Sequence, residues 1–215
     1  MKKLIKSTEP EKFKLWKSSE TEDWAPSYGV LQNPEKRELH ASLIEEQGGL
    51  CCYCGRGIDA QSSHIEHFRP QELYRHLELA YENLHASCLR ETKPGNPLHC
   101  GHHKSNWFDE ALFISPQDED CETRFRYLLT GEIQSNSAND QPAATMIGVL
   151  ALDTPYLRNR RGEVLKLVFD EAFITAASDE ELNQLTNVLR GKLPKDQQAF
   201  DHVIARYAEQ LATGE

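Results

Sequence analysis

The sequence predicts an α+β fold: a cysteine-rich centre of short elements, with an N-terminal arm before it and a helical region after it. Three observations predict this. Five of the six cysteines lie between Cys51 and Cys100, in sequence too rich in turn residues for long helices. Beyond residue 142 apolar residues recur at helical spacing. Residues 1–33 scatter Phe13, Trp16, Trp24 and Tyr28 through polar sequence with Pro10 and Pro26, as in an arm that packs onto its own body or onto a partner. The segments read as an arm over 1–33, a core over 34–135 and a helical region over 142–215.

In chain order, Asn33-Pro34 offers a cap and a first-turn proline to a helix carrying Leu39, Leu43 and Ile44, and Gly48-Gly49 ends it. The Cys51 to Cys54 turn follows, then an extended run from Ser63 to Phe68 and a helix around 71–80. Residues 91–97, ETKPGNP, form a loop. FISPQDEDCETRFRYLLTGEIQ over 113–134 suggests a hairpin, and SNSANDQP a surface connection. Thr154-Pro155 starts a helix with Leu157, Val164, Leu165 and Val168 on one face. Ser178 and Glu181 form a capping box ahead of Leu182, Leu185 and Leu189. A last helix runs after Pro194 with Phe200, Val203, Ile204, Tyr207 and Leu211. These stripes suit a core, and alternatively a partner's groove.

A chain of 215 residues fits one composite domain. It has no run of about 18 apolar residues, and MKKLIKSTEP turns polar after two apolar positions, so no membrane span or secretory signal is expected and the location reads as cytoplasmic. The formal net charge of −10 argues against a broad basic surface gripping nucleic acid. Six lysines against two glutamates in residues 1–17 make a local +4, either a solvated arm or a nucleic-acid contact.

Cysteines in a reducing compartment read as metal ligands or buried thiols. Cys51-x-x-Cys54 has the reach of a zinc knuckle, and Cys88 with Cys100 supplies a second, stretched pair for one tetrahedral Zn2+. The alternative is a buried thiol cluster. Cys52 is expected in the core, and Cys121 lies too far along to be a first-choice ligand.

Between the pairs sits HIEHFRP, residues 64–70. Adjacent carboxylate and imidazole groups suit metal-assisted hydrolysis, with Glu66 holding a divalent cation and His67 taking a proton from water. A lone pair of this kind is also common surface sequence, and its place between two knuckle halves is what makes it notable. Asn83 precedes Cys88 in YENLHASC. CGHHK at 100–104 then brings His102 or His103 as a further cation ligand and Lys104 as a phosphate contact; such a His pair is otherwise ordinary exposed sequence.

CxYC, EHFRP, NLHASC and CGHHK, in this order, resemble the HNH endonucleases, whose ββα-metal fold wraps two strands and a helix round one catalytic metal. GGLCCYC, HIEHFRPQ, HCGHHKSNWFD, FISPQDEDCETRFRYLLTGEI and LALDTPYLRNRR look more specifically like the PtuB-like HNH proteins of the Septu anti-phage system, a group that includes retron-associated members. The likeness spans roughly residues 3–170. It implies structural Zn2+ on Cys51, Cys54, Cys88 and Cys100, His67 as general base, Glu66 as ligand of a catalytic Mg2+ or Mn2+, and Asn83 fixing the loop by side-chain hydrogen bonds. Many such nucleases place a metal-binding residue directly after the last cysteine. Here that position is Gly101, so the role passes to His102 or His103, with His102 preferred, and His64 shares a strand face with Glu66.

The resemblance also implies cleavage of phage DNA and an ATP-binding partner related to ABC and SMC ATPases (PtuA-like). Two other readings stand beside it: an RNA endonuclease, for example on tRNA, and a catalytically silent zinc-binding adaptor.

Overall fold

A computed structural model describes residues 1–89, 91–92, 94–95 and 97–215. Its elements are α1 (Glu11–Lys17), α2 (Glu35–Glu46), β1 (Ser63–His67), β2 (Leu84–Cys88), α3 (Gly101–Lys104), β3 (Phe125–Tyr127), β4 (Ile133–Ser135), α4 (Gln141–Val149), α5 (Pro155–Val168), α6 (Glu171–Ala176), α7 (Asp179–Arg190) and α8 (Asp201–Thr213). The mixture of helices and short strands is the α+β class the sequence predicts. Of the 91–97 loop, Lys93 and Asn96 lie outside the described residues.

Two antiparallel pairs make up the strands. β1 and β2 pair with Ser63 opposite Cys88 and Glu66 opposite His85. Side chains alternate across a strand. Ile65, Leu84 and Ala86 therefore face α2, packing with Phe13, Leu31, Leu39 and Leu43. His64, Glu66, His85 and Ser87 take the other face, toward α3 and the cysteines. β3 and β4 form a smaller hairpin with Phe125 opposite Ser135. Gly131 at its tip lies against α5 so closely that a Cβ there would stand 2.0 Å from the Arg158 carbonyl oxygen. The buried Arg161 fastens the same contact, donating to the Gly131 carbonyl at 2.7 Å and to that of Leu152 at 2.9 Å.

The arm packs onto its own body. Phe13 and Leu31 join the α2 cluster, whereas Met1 and Leu4 join a larger core shared with the cysteines, Phe125, Leu157, Leu182 and Val203. One core thus runs through the central and C-terminal segments alike.

Several local expectations need correction. Residues 71–80 are turns with a single 3-10 turn over Arg75–Leu77 rather than a helix. The cause is Asn83, whose side chain donates to the carbonyls of Arg69 and Leu77, both at 3.1 Å, and so holds the segment as a closed loop. Asn33 does not cap α2: the residue before the helix is Pro34, and the Gln32 carbonyl accepts the Lys36 amide at 2.9 Å instead. The hairpin is confined to 125–135, because 115–124 is a chain of turns. The final helix begins only after Phe200, whose left-handed φ of 68° breaks the path from Pro194. The Thr154 cap and the Ser178–Glu181 capping box are both present.

Candidate functional site

Cys51, Cys54, Cys88 and Cys100 converge. Their four sulfurs lie within 4.8 Å of one another, all are buried and all are free thiols. Among the described residues this is the one group of three or more His, Cys, Asp or Glu side chains placed to hold a metal ion. Cys54 Sγ and Cys88 Sγ stand 3.9 Å apart. Tetrahedral thiolates round one zinc ion sit about 3.8 Å apart, from Zn–S bonds of about 2.3 Å. The local chain supports this closure. The Cys51–Gly55 turn folds back with the Gly55 amide on the Cys51 carbonyl, and the Cys88 amide donates to Cys51 Sγ at 3.4 Å. Two residues of the second pair's segment, Leu89 (φ 68°) and Cys100 (φ 58°), occupy left-handed backbone. His99, to which the sequence assigns no role, adds Nδ1 at 3.2 Å from Cys100 Sγ and 3.5 Å from Cys88 Sγ. Cys52 is buried beside β2, where its amide meets the Ala86 carbonyl. Cys121 is buried elsewhere, against the Pro116 carbonyl.

The knot places α3. Cys100 ends the knot and Gly101 opens the helix, with the Gly101 amide donating to Ser87 Oγ at 3.3 Å. Since β2 pairs with β1, α3 comes to rest over Glu66. A Cβ on Gly101 would stand 2.2 Å from Glu66 Oε2 and 3.0 Å from His64 Nε2. The absent side chain is therefore the space those two groups occupy.

Glu66 is buried with its two oxygens treated differently. Oε1 accepts from the Tyr53 hydroxyl at 3.1 Å and pairs with Lys104 Nζ at 3.0 Å. Oε2 meets only His64 Nε2, at 3.3 Å. Burial alone would raise this carboxyl's pKa. The His64 hydrogen bond and the Lys104 charge outweigh that and hold it below the usual carboxylate range.

Lys104 is not a phosphate contact. Its side chain is 1% exposed, and its ammonium is used up on Glu66 and on the carbonyls of His67 and Ser105. A charge that deep needs such partners, and they leave it no reach to solvent.

His67 ends β1 on the face opposite Glu66. Its Nε2 lies 3.0 Å from the Glu78 carbonyl oxygen, which can only accept, so Nε2 carries the proton and Nδ1 the lone pair. Tyr28 stands edge-on to the ring at a centroid distance of 4.4 Å. Burial lowers the His67 pKa, the Glu78 carbonyl opposing it, and the ring stays neutral at pH 7. Tyr28 is itself pushed up to about 12 by burial and by the Glu66 charge, so the arm borders the space beside both residues. Asn83 lies at the foot of β2, accepting from the Arg69 amide at 2.7 Å while donating to the two carbonyls named above.

The two histidines of α3 diverge. The His102 ring lies 4.4 Å from that of His64, and its Nε2 is buried without a partner. Burial lowers the pKa of this ring, the His64 ring beside it acts in the same direction, and the Leu89 carbonyl opposes them. His103 instead points away, Nδ1 to the Val149 carbonyl at 2.8 Å, and is exposed.

The geometry thus sets a buried cysteine quartet, a carboxylate and several imidazoles in one neighbourhood. No family model matches the chain. Over 160 residues it is 28% identical to a protein of Vibrio cholerae serotype O1 biovar El Tor named "Retron Vc95 putative HNH endonuclease", covering 71% of this chain and 74% of that one. The chain is similar to a named HNH endonuclease. That likeness agrees with the HNH resemblance of the motifs. No helix among the described residues is long and apolar enough to cross a membrane.

Sequence reasoning passed over three contributors: Tyr53, Tyr28 and His99. Tyr53 stands inside the CxYC motif, and its burial behind Glu66 shows only in the fold. Tyr28 is 39 residues from His67 and His99 adjoins Cys100, so neither carries a spacing signal.

Proposed function

We propose that this protein is an HNH endonuclease that hydrolyses phosphodiester bonds of DNA with a divalent cation held at Glu66, on a ββα-metal core of β1, β2 and α3. The observation that carries the reading is the asymmetry of Glu66: Oε1 is saturated by Tyr53 and Lys104, and Oε2 is turned into the space that Gly101 leaves open. A neutral imidazole with a fixed tautomer, His67, follows it in the chain. The donor set fits the implied cation, since an anionic oxygen and the unpartnered His102 Nε2 suit Mg2+ or Mn2+, and the four thiolates suit Zn2+.

A bound divalent cation there supplies Lewis-acid polarisation of the scissile phosphate. Tyr53 and Lys104 hold the Glu66 carboxylate in place. His67 accepts the proton of the attacking water at Nδ1, and Nε2–H on the Glu78 carbonyl stabilises the imidazolium that results. Asn83 fixes the loop that carries this carbonyl. His102 faces the cation side, whereas His103 does not.

The defence setting and the ATP-binding partner belong to the same reading. Support comes from the net charge of −10, which leaves DNA affinity to be supplied from outside, and from exposed apolar side chains on the arm: Ile5, Leu15 and Val30. The test is cleavage of plasmid DNA and total RNA with Mg2+ or Mn2+, with and without a PtuA-like ATPase and ATP. Wild type should cut DNA. His67→Ala and Glu66→Gln should stay folded by circular dichroism yet lose about 10²–10⁴ in rate. Wild-type cleavage by His67→Ala would exclude the mechanism, and cleavage of RNA alone would replace the substrate.

A further inference from the structure

We infer that His64 is a ligand of the catalytic cation, taking the place of the side chain missing at position 101. The inference rests on the cation reading of Glu66 above and adds a residue to it. Three observations lead there. A Cβ built on Gly101 runs into Glu66 Oε2 at 2.2 Å and His64 Nε2 at 3.0 Å, so these two atoms occupy the volume a residue-101 ligand would enter. They stand 3.3 Å apart. Neighbouring ligands of an octahedral cation are spaced about 3 Å apart, given metal–oxygen bonds of about 2.1 Å. Finally, Glu66 Oε1 is taken by two donors, and so Oε2 is the oxygen left to share an ion with an imidazole.

His64 also links the parts of the site. Its ring lies between Glu66 on its own strand and the His102 ring, 4.4 Å away on α3. Its Nδ1 is buried without a partner, as is His102 Nε2, so this row of imidazoles holds polar atoms that nothing among the described residues satisfies. Buried polar atoms of this kind destabilise a fold when left unmet. Other buried polar atoms also lack partners, at Gln197 and His202 for example, but those of His64 and His102 belong to rings that stand beside the carboxylate and each other. As placed, the Glu66–His64–His102 trio is wider than a closed three-residue site, so the inference commits to Glu66 and His64 as the fixed pair, with water filling other positions.

An imidazole ligand changes which ion the site prefers. Carboxylate and water alone suit Mg2+ and Mn2+ alike, whereas an imidazole nitrogen is a better ligand for a first-row transition ion than for Mg2+. His64 therefore tilts the site toward Mn2+. A residue that merely oriented Glu66 would affect both ions alike.

The experiment is binding of Mn2+ and of Mg2+, measured by calorimetry on zinc-loaded protein, with electron spin echo on the Mn2+ complex to detect 14N of a bound imidazole. Wild type should bind one Mn2+ beyond its zinc. His64→Gln, which can still donate to Oε2, should lose about 10–100-fold in Mn2+ affinity, much less in Mg2+ affinity, and part of the 14N coupling. Gly101→Ala should keep its zinc, because the four thiols are untouched, at some cost in melting temperature as the added Cβ strains the Glu66 contacts with Tyr53 and Lys104. It should nonetheless lose Mn2+ affinity as the carboxylate is displaced. Equal Mn2+ binding and unchanged coupling in His64→Gln, with Glu66→Gln losing the ion, would overturn the role of His64 and leave the Glu66 reading standing. Absence of a second cation in wild type would overturn both.

Discussion

At the scale of single residues, the proposed role of His67 as general base ties the rate to the protonation of its ring. Its folded pKa lies below 6.5, chiefly because Tyr28 and its surroundings bury it. A general base works only when deprotonated, so the rate should rise as pH increases through the lowered pKa, with the acid limb of kcat below the ordinary imidazole value of about 6.5. Lowering of this kind also removes stability from the folded state as pH falls below 6.5, since the unfolded chain takes up the proton first. Tyr28→Ala admits water to the ring and should move the acid limb upward, toward 6.5. A kcat profile whose acid limb lies at or above 6.5 in wild type, or stays put in Tyr28→Ala, would disprove the assignment. The Glu66–His67 pair stood out in HIEHFRP because carboxylate beside imidazole is a pattern in sequence. Tyr28 and Tyr53 were not, because burial against a distant residue leaves no trace in spacing. Lys104 was misread for the same reason: a lysine after two histidines reads as a surface cation until its neighbours are known.

At the scale of elements, the cysteine knot decides where α3 sits. Leu89 and Cys100 are held in left-handed backbone, at a cost of order 1–3 kcal/mol each, and β2 and α3 leave the knot directly from Cys88 and Cys100. Without a metal to join them, four buried thiols offer little to hold that geometry. Removal of the ion by a strong chelator should therefore lower stability by several kcal/mol. It should also free Lys104 from Glu66, read as loss of amide protection over 101–104 in hydrogen exchange. A chelated protein with an unchanged melting temperature would show that the quartet is a thiol cluster. CxxC and the later cysteine pair announced this centre in sequence. What sequence hid is the way each small sheet closes its open edge. Gln47 donates to the Ala86 carbonyl and accepts from its amide, at 2.8 and 2.7 Å, and Gln210 does the same for Tyr127, at 3.0 and 2.9 Å. A glutamine amide imitates a strand's peptide in both places. In sequence each is one more polar residue near a helix end.

At the scale of the whole molecule, the helices after residue 170 belong to the core that holds the knot. Leu182, Phe200, Val203 and Ala208 share one apolar cluster with Cys51, Cys88 and Cys100. Buried Arg206 reaches the Phe125 carbonyl at 2.9 Å, and Gln210 supplies both hydrogen bonds at Tyr127. The amphipathic stripes of 178–211 were readable as helices, but their partners were not, because a stripe shows that a face is buried and not what buries it. Cutting the chain after residue 170 would expose this face of the core, leave the Tyr127 amide unpaired and strip the cover from Met1 and Leu4. Each fully buried large apolar side chain so exposed costs about 1.5–3 kcal/mol, so Met1 and Leu4 alone take a large share of the stability of an ordinary domain, about 5–15 kcal/mol. The 1–170 fragment should accordingly be insoluble or molten, with no cooperative melt and weakened zinc retention, although every motif residue is present in it. Two-chain complementation gives the check: a separately expressed 171–215 segment should restore a cooperative transition and the metal content. A 1–170 fragment that melts cooperatively at the full-length temperature would show that the C-terminal helices are an appendage to the site and not part of what builds it.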